Sequence, residues 1–181
     1  MGYFTYVFPC VVEDHCKVGF SSDPLSRLQS FHPRWFEFFD LDRALLVEAE
    51  TQRDARDLEL ELRRPLRPHK APMPLTIRRQ AGGHTEWLRG AYTVLAEQAQ
   101  SLERRGHVVH TGAREWLAHA LLERADRLYG WAMAHYPDGF DSPAAPEVER
   151  LLIDVLDAHR ALDIDVAPYL PAELLRRAGA R

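Results

Sequence analysis

Hydrophobic and polar residues follow two different periods along the first half of the chain, and these periods predict a mixed fold. Residues 4–12 and 15–21 are rich in β-branched and aromatic side chains, with polar turn residues between them, which predicts a β-hairpin. Asp23 and Pro24 are residue types that favour the N-cap and the first position of a helix, so a short helix is expected through about Phe31. Residues 35–46 alternate apolar and acidic positions, which predicts a third strand.

Helical spacing then follows, from Val47 to Leu62. One side of such a helix carries Val47, Thr51, Ala55, Leu58 and Leu62. Pro65, Pro68, Pro72 and Pro74 next predict an extended basic loop. A further helix is expected from Glu86 to about Arg105. Residues 1–105 are therefore predicted to form a small α/β domain with the order β-β-α-β-α-α.

The pattern beyond residue 105 is helical throughout. Amphipathic helices are predicted over residues 113–135 and 147–162, and a short helix is expected from Pro171. Residues 106–181 are thus predicted to be an α-helical C-terminal extension, which either packs on the first domain or binds a partner.

Length and composition fit an ordinary globular chain. The 181 residues suffice for one domain with an appendage. No apolar run approaches the roughly 20 residues of a membrane span, so no membrane association is expected and the cytoplasm is the default location. Cys10 and Cys16 flank a predicted turn, where a disulfide is geometrically possible. Two buried thiols are the favoured state in such a compartment.

The charge is distributed unevenly around a net value of −4. Between Leu62 and Thr85 there is no acidic residue. The basic residues of this stretch are Arg63, Arg64, Arg67, Lys70, Arg78 and Arg79. Charge alone fits two alternatives equally well, a surface that contacts a nucleic-acid backbone and a solvated loop.

Glu59 is a candidate site residue because of its place on the predicted helix. Ala55, Leu58, Glu59 and Leu62 follow the spacing i, i+3, i+4, i+7, which puts Glu59 on the buried face. A buried carboxylate is costly unless it pairs with a cation or binds a metal. Taken by itself, this position favours an ion pair with an arginine.

Three other candidates are ordinary when each is taken singly. Tyr6 on the first strand is typical of a core or sheet position, Lys17 of an exposed sheet edge and Arg27 of a solvated helix surface. Their order along the chain, together with Glu59, carries more information than any one of them.

Taken in that order, four segments resemble the GIY-YIG nuclease superfamily. They are Phe4-Thr5-Tyr6-Val7, Lys17-Val18-Gly19, Asp23-Pro24-Leu25-Ser26-Arg27-Leu28 and Leu58-Glu59-Leu60-Glu61-Leu62. The likeness is greatest to the phage and bacterial branch, whose second motif reads Lys-Ile-Gly followed by Asp-Pro-x-x-Arg-Leu. His84-Thr85-Glu86-Trp87-Leu88 further resembles the Gly-Glu-Trp-Phe that closes the domain in that branch.

The resemblance implies a metal-dependent endonuclease that hydrolyses DNA. Glu59 would hold one divalent cation, usually Mg²⁺, and Tyr6 would help to deprotonate the attacking water. Arg27 would stabilise charge on the phosphate, and Lys17 would replace the usual second tyrosine to orient water or contact phosphate. His32 is a candidate for proton transfer, although a lone histidine is more often structural. The basic stretch from Arg63 to Arg79 would bind the DNA backbone.

The alternative is a non-catalytic module that keeps the same fold and binds a protein or DNA partner. The glycine of the first motif is replaced by Phe4-Thr5, the chain contains no asparagine, and its C-terminal half is acidic. Convergence of Tyr6, Lys17, Arg27 and Glu59 on one open cleft would favour the enzyme. A closed salt bridge between Arg27 and Glu59 beneath the proline-rich loop would favour the module.

Overall fold

The computed structural model of the protein describes residues 2–77, 82–83, 85–142 and 144–179. The chain divides into two compact units, Met1–Arg114 and Glu115–Arg181. The sequence predicted a first domain of 1–105 and an extension of 106–181. The first unit extends further because residues 109–111 form an additional strand that pairs with the sheet.

The first unit is built on one antiparallel sheet, which confirms the general mixed α/β class. Its strands are β1 (Tyr3–Pro9), β2 (His15–Ser21), β3 (Leu45–Ala49), β4 (Trp87–Arg89) and β5 (Val109–Thr111). They lie in the order β4-β2-β1-β3-β5. The predicted β-hairpin is present as β1 and β2, with Tyr6 opposite Gly19 and Phe8 opposite Lys17.

Helices accompany this sheet and make up the second unit. Those of the first unit are α1 (Pro24–Phe31), α2 (Trp35–Phe38), α3 (Gln52–Arg63) and α4 (Tyr92–Arg104), with a 3₁₀ helix at Arg64–His69. They are followed by α5 (Arg114–Leu122), α6 (Arg127–His135), α7 (Pro146–Ala161) and α8 (Ala172–Gly179). Within the described residues, no helix is both long enough and apolar enough to cross a membrane.

At the centre of the first unit one predicted element is wrong in type and the next begins later than predicted. Residues 35–46 are not one strand, because Trp35 and Phe36 are buried by the short helix α2 and pairing with β1 begins only at Leu45. Because residues 45–49 form strand β3, helix α3 begins at Gln52 rather than at residue 47. Its start is set by a capping box, in which the Thr51 side chain accepts from the Asp54 N–H and Asp54 bonds back to the Thr51 N–H.

The other differences also follow from long-range contacts and from turns. The helix expected from Glu86 starts only at Tyr92, because residues 87–89 pair with β2 as β4. The proline-rich stretch begins as the 3₁₀ helix. Pro65 is tolerated there because it lies near the start of the helix, and the buried Leu66 anchors it. The helix expected over 113–135 is broken by a turn between Leu122 and Arg127, giving α5 and α6.

The two faces of the sheet carry different side chains. Val7, Cys16 and Val18 pack in an aliphatic core with residues of α3 and α4. On the other face Tyr6 stacks on Phe8, and Phe8, Phe31, Phe39 and Trp87 form a chain of ring contacts. Both cysteines are buried free thiols, as the sequence favoured. Burial is the main cause that raises the pKa of each thiol to about 12.

The second unit has its own hydrophobic core. Leu128 and Ala132 of α6 pack with Leu152 and Leu156 of α7 and with Leu174 of α8. The predicted helices over 147–162 and from Pro171 correspond closely to α7 and α8.

Candidate functional site

Helix α1 presents Arg27 towards the first strand. Asp23 caps the helix, because its Oδ1 accepts a hydrogen bond from the Ser26 N–H at 3.0 Å. One turn later, Arg27 Nε donates to the Tyr6 hydroxyl at 3.2 Å. The Arg27 guanidinium also lies over the Phe31 ring, 4.3 Å from its centroid. Tyr6 on β1 and Arg27 on α1 are thus in direct contact.

The Tyr6 side chain lies directly on Gly19. A Cβ atom at residue 19 would be 2.4 Å from the Tyr6 hydroxyl, a distance that forces something to move. The glycine of Lys17-Val18-Gly19 is therefore required by the position of the tyrosine. Burial raises the pKa of Tyr6 above its ordinary value near 10, although the Arg27 charge opposes that rise. The hydroxyl is consequently protonated at neutral pH.

Lys17 is buried rather than exposed at a sheet edge, contrary to the typical expectation for a lone lysine. Its side chain is 1% exposed, and Nζ forms an ion pair with Glu86 Oε2 at 2.9 Å. Nζ also lies 5.9 Å from the ring centroids of Phe31 and Trp87. Burial lowers the pKa of Lys17 to about 8, and Glu86 keeps it from falling further.

Glu86 is a site residue that the sequence did not single out. Burial by itself would raise the pKa of this carboxyl group, but hydrogen bonds from Lys17 and Thr85 outweigh that effect and the pKa is lowered to about 2. The residue directly precedes β4, whose pairing with β2 sets Trp87 opposite Lys17. In the sequence, Glu86 stands in the segment His84–Leu88, whose resemblance to Gly-Glu-Trp-Phe indicates only the end of the domain.

Three charged groups meet at Gly83. A Cβ atom at this residue would lie 2.9 Å from Arg27 Nη2, from Lys17 Nζ and from Glu86 Oε2. These three atoms are therefore no farther apart than twice that distance. Gly83 also has a φ of +66°, which favours glycine. The backbone at this point closes over the polar cluster, and a larger residue would push the charged groups apart.

Glu59 lies on the buried face of α3, as its spacing predicted. The residue is 7% exposed, and its Oε1 accepts a hydrogen bond from Arg63 Nη1 at 2.6 Å. The Glu59 charge contributes to raising the pKa values of Tyr6 and Lys17, so it acts on both groups electrostatically. Its ion pair is with Arg63, while Arg27 bonds to Tyr6. The sequence-based expectation of an arginine partner for Glu59 is confirmed.

The donor set fits a single hard divalent cation. Mg²⁺ is usually held by one or two carboxylates, with waters and phosphate oxygens completing its coordination. Glu59 and Glu86 supply carboxylates of this kind, and both contribute to raising the Tyr6 pKa. Across the described residues, no three His, Cys, Asp or Glu side chains are grouped as a metal cluster.

A groove of about 1030 Å³ adjoins this cluster along α3 and the 3₁₀ helix. Its floor includes Leu60, Leu66 and Leu88. Four of the six predicted nucleic-acid contacts line it, namely Arg63, Arg64, Arg67 and Lys70. Arg78 and Arg79 lie outside the described residues. Asp57 and Glu61 also line the groove, so its lining has an excess of basic residues but is mixed in charge.

His32 has a structural environment at the end of α1. Its Nδ1 accepts a hydrogen bond from the Arg34 N–H at 3.1 Å, and its ring stacks on Phe38 at 4.9 Å. These contacts orient the ring at the end of α1, and a role of His32 in proton transfer stays a prediction.

Comparisons with protein-family models, with curated proteins and with solved structures found no match to this chain. The features that bear on function are therefore those of the site itself: Lys17, Arg27 and Glu86 meet at Gly83, Arg27 bonds to Tyr6, and Glu59 pairs with Arg63.

Proposed function

We propose that the first unit is a metal-dependent endonuclease that hydrolyses phosphodiester bonds of DNA, with a site of the GIY-YIG kind. One observation carries the proposal. The Tyr6 hydroxyl and the Lys17 ammonium, on neighbouring strands, meet the Arg27 guanidinium of α1, and the Glu59 charge acts on both Tyr6 and Lys17. A phosphate group offered to this point would meet two cations and a hydroxyl donor.

Glu59 and Arg27 would each contribute to stabilising charge on the phosphate. Glu59 would hold a divalent cation, which would supply a Lewis acid for a phosphate oxygen and lower the pKa of its bound water. Arg27 offers a planar guanidinium, whose paired N–H groups match the oxygens of a phosphate as negative charge develops there. Its packing on Phe31 and its bond to Tyr6 hold it in place before substrate arrives.

Tyr6 and Lys17 have roles that follow from their pKa values. Because the pKa of Tyr6 is raised, its hydroxyl carries its proton in the resting site. There it can donate a hydrogen bond that orients water. Lys17, with a pKa of about 8, is mostly an ammonium at neutral pH and attracts phosphate. The groove beside the cluster provides further cations for the flanking backbone.

Plasmid nicking in Mg²⁺ tests the proposal. Glu59→Gln keeps the shape of the side chain and removes its charge, and we expect it to lower the cleavage rate about 100-fold or more, because the metal contributes several kcal/mol. Glu48→Gln is the control, since Glu48 is an exposed glutamate of β3 that pairs with His110. That variant should cleave like the wild type. Equal cleavage by all three proteins would assign the activity to another site or to a contaminant.

A second candidate function is a non-catalytic module that binds a protein or DNA partner. The specific observation in its favour is that each carboxylate of the cluster already has a cation, Glu59 with Arg63 and Glu86 with Lys17. Absence of cleavage by the wild type with several metals and DNA forms, together with retained binding, would support this candidate against the enzyme.

A further inference from the structure

Arg63 belongs to both parts of the candidate site, because it pairs with Glu59 and also lines the groove. It lies four residues after Glu59 on α3, in the order that favours a carboxylate–cation pair on a helix. The side chains are 26% and 9% exposed for Arg63 and Glu59, respectively. The Arg63 charge also contributes to lowering the pKa of Glu86. One guanidinium thus neutralises the carboxylate that the proposed metal ion requires and acts on the second carboxylate nearby.

We propose that Arg63 is a displaceable counter-ion of Glu59: it holds the carboxylate in the free protein, and a phosphate in the adjoining groove draws it away so that a divalent cation can bind. This inference rests on the proposed metal site at Glu59. It adds an order of assembly, in which substrate and metal ion promote each other's binding through one side chain.

The charge balance of the cluster favours such an exchange. Lys17, Arg27 and Arg63 contribute three positive charges, against two negative charges from Glu59 and Glu86. Adding a divalent cation to a cluster that is already positive is opposed by Coulomb repulsion unless a cation leaves or an anion arrives. A phosphate that takes Arg63 with it satisfies both conditions.

Arg63 is the cation best placed to leave. Lys17 is 1% exposed, lies near the rings of Phe31 and Trp87 and pairs with Glu86, so its ammonium is less free to move away than the Arg63 guanidinium. Arg63 is the last residue of α3, is partly exposed and already lines the groove. Arg64, Arg67 and Lys70 in the same groove would hold the phosphate that receives its guanidinium.

Direct measurement of Mn²⁺ binding by electron paramagnetic resonance tests the exchange without reference to cleavage. We expect Arg63→Gln to bind Mn²⁺ about 5-fold more tightly than the wild type or better, the lower end of typical coupling between two sites. Arg67→Gln is the matched control, because it removes a cation from the same groove without touching Glu59. A gain of equal size in Arg67→Gln, or no gain in Arg63→Gln, would overturn the proposal.

Two further arms separate the possible causes. The gain must disappear in the double variant Glu59→Gln/Arg63→Gln, and its persistence would show that Mn²⁺ binds elsewhere. A phosphorothioate-linked hexathymidylate, chosen to resist cleavage, should tighten Mn²⁺ binding to the wild type and have a smaller effect on Arg63→Gln. An equal effect on both proteins contradicts the exchange. Thermal unfolding of each variant verifies that it is folded.

The outcomes distinguish this inference from the proposed function. If the Mn²⁺ gain is seen and plasmid is not cut, the exchange holds in a protein that binds a metal ion and phosphate without hydrolysis. If plasmid is cut through Glu59 and the Mn²⁺ gain is absent, the nuclease remains and Arg63 is only a structural partner of Glu59.

Discussion

Lys17 is one of two lysines among the 23 basic residues of the chain. Its ammonium is enclosed by Phe31, Trp87 and Glu86, and burial lowers its pKa to about 8. Arginine would stay charged at any accessible pH. Lysine at this position therefore gives the site a cation that loses its proton just above neutrality, which couples the state of the site to pH.

The small number of lysines makes this titration directly observable. In protein labelled with ¹³C at lysine Cε, two lysine signals are expected, and the one absent from Lys17→Arg should titrate near pH 8. In Glu86→Gln the same signal should titrate at lower pH, because the carboxylate no longer stabilises the ammonium. A Lys17 signal that titrates near its ordinary value of 10.5 would contradict the burial seen here.

The same shift has a consequence for stability. The folded-state pKa of Lys17 lies below the value of 10.5 expected for the unfolded chain. Between about pH 8 and 10.5 the unfolded chain binds more protons, so this residue makes the free energy of unfolding rise with pH across that range. Below pH 8 the full cost of burying the ammonium is present. Lys17→Met should lack this rise when unfolding by urea is compared at pH 7.5 and 9.5.

Helix α1 depends on its N-cap because it is only eight residues long. Helices of this length are marginal without capping and tertiary packing. Asp23 accepts from both the N–H and the hydroxyl of Ser26, at 3.0 and 2.6 Å. The helix in turn carries Arg27 to Tyr6, so the cap also positions a candidate site residue.

Removal of the cap should destabilise the first unit by a modest, measurable amount. We expect Asp23→Ala to lower the free energy of unfolding by about 1 kcal/mol. Asp23→Ser is the control, because a serine oxygen can accept from the same N–H and should retain most of the stability. Urea unfolding monitored by tryptophan fluorescence measures both variants. Equal losses would mean that α1 is held by the packing of Leu25, Leu28 and Phe31 and not by its cap.

Elements with local signals were predictable from the sequence. The hairpin follows from alternation, α1 from its Asp-Pro start, and the buried face of α3, including Glu59, from helical spacing. The alternation over residues 35–46 was misleading because Trp35 and Phe39 are buried through contacts distant in sequence, such as Phe39 with Trp87. Strands β4 and β5 have three residues each, too few to show a period.

The candidate site shows the same limit. Tyr6, Lys17, Arg27 and Glu59 were found because they stand in a recognisable order on successive elements. Glu86 and Gly83 belong to the cluster because β4 pairs with β2 and carries the preceding segment over Lys17. That pairing joins residues about 70 positions apart, as Lys17 and Trp87 show, and no local pattern encodes such a register.

Charge is divided between the two units of the chain. Residues 1–114 contain 16 basic and 15 acidic residues, and residues 115–181 contain 7 and 12, which gives net charges of +1 and −5. The near balance of the first unit hides a local concentration, since Arg63, Arg64, Arg67 and Lys70 line one groove. An acidic second unit repels a polyanion, so any attraction to DNA must come from such a concentrated surface.

The dependence of DNA affinity on salt therefore tests which surface carries the interaction. Each phosphate contact contributes about 0.9 to the slope of log affinity against log salt. The triple variant Arg64→Gln/Arg67→Gln/Lys70→Gln should bind DNA more weakly and lower that slope by about 2 to 3. Arg150→Gln/Arg160→Gln changes exposed arginines of α7 and should leave the slope unchanged. If both variants change it equally, binding follows overall charge; if only the triple variant does, the phosphates lie in the groove beside Glu59.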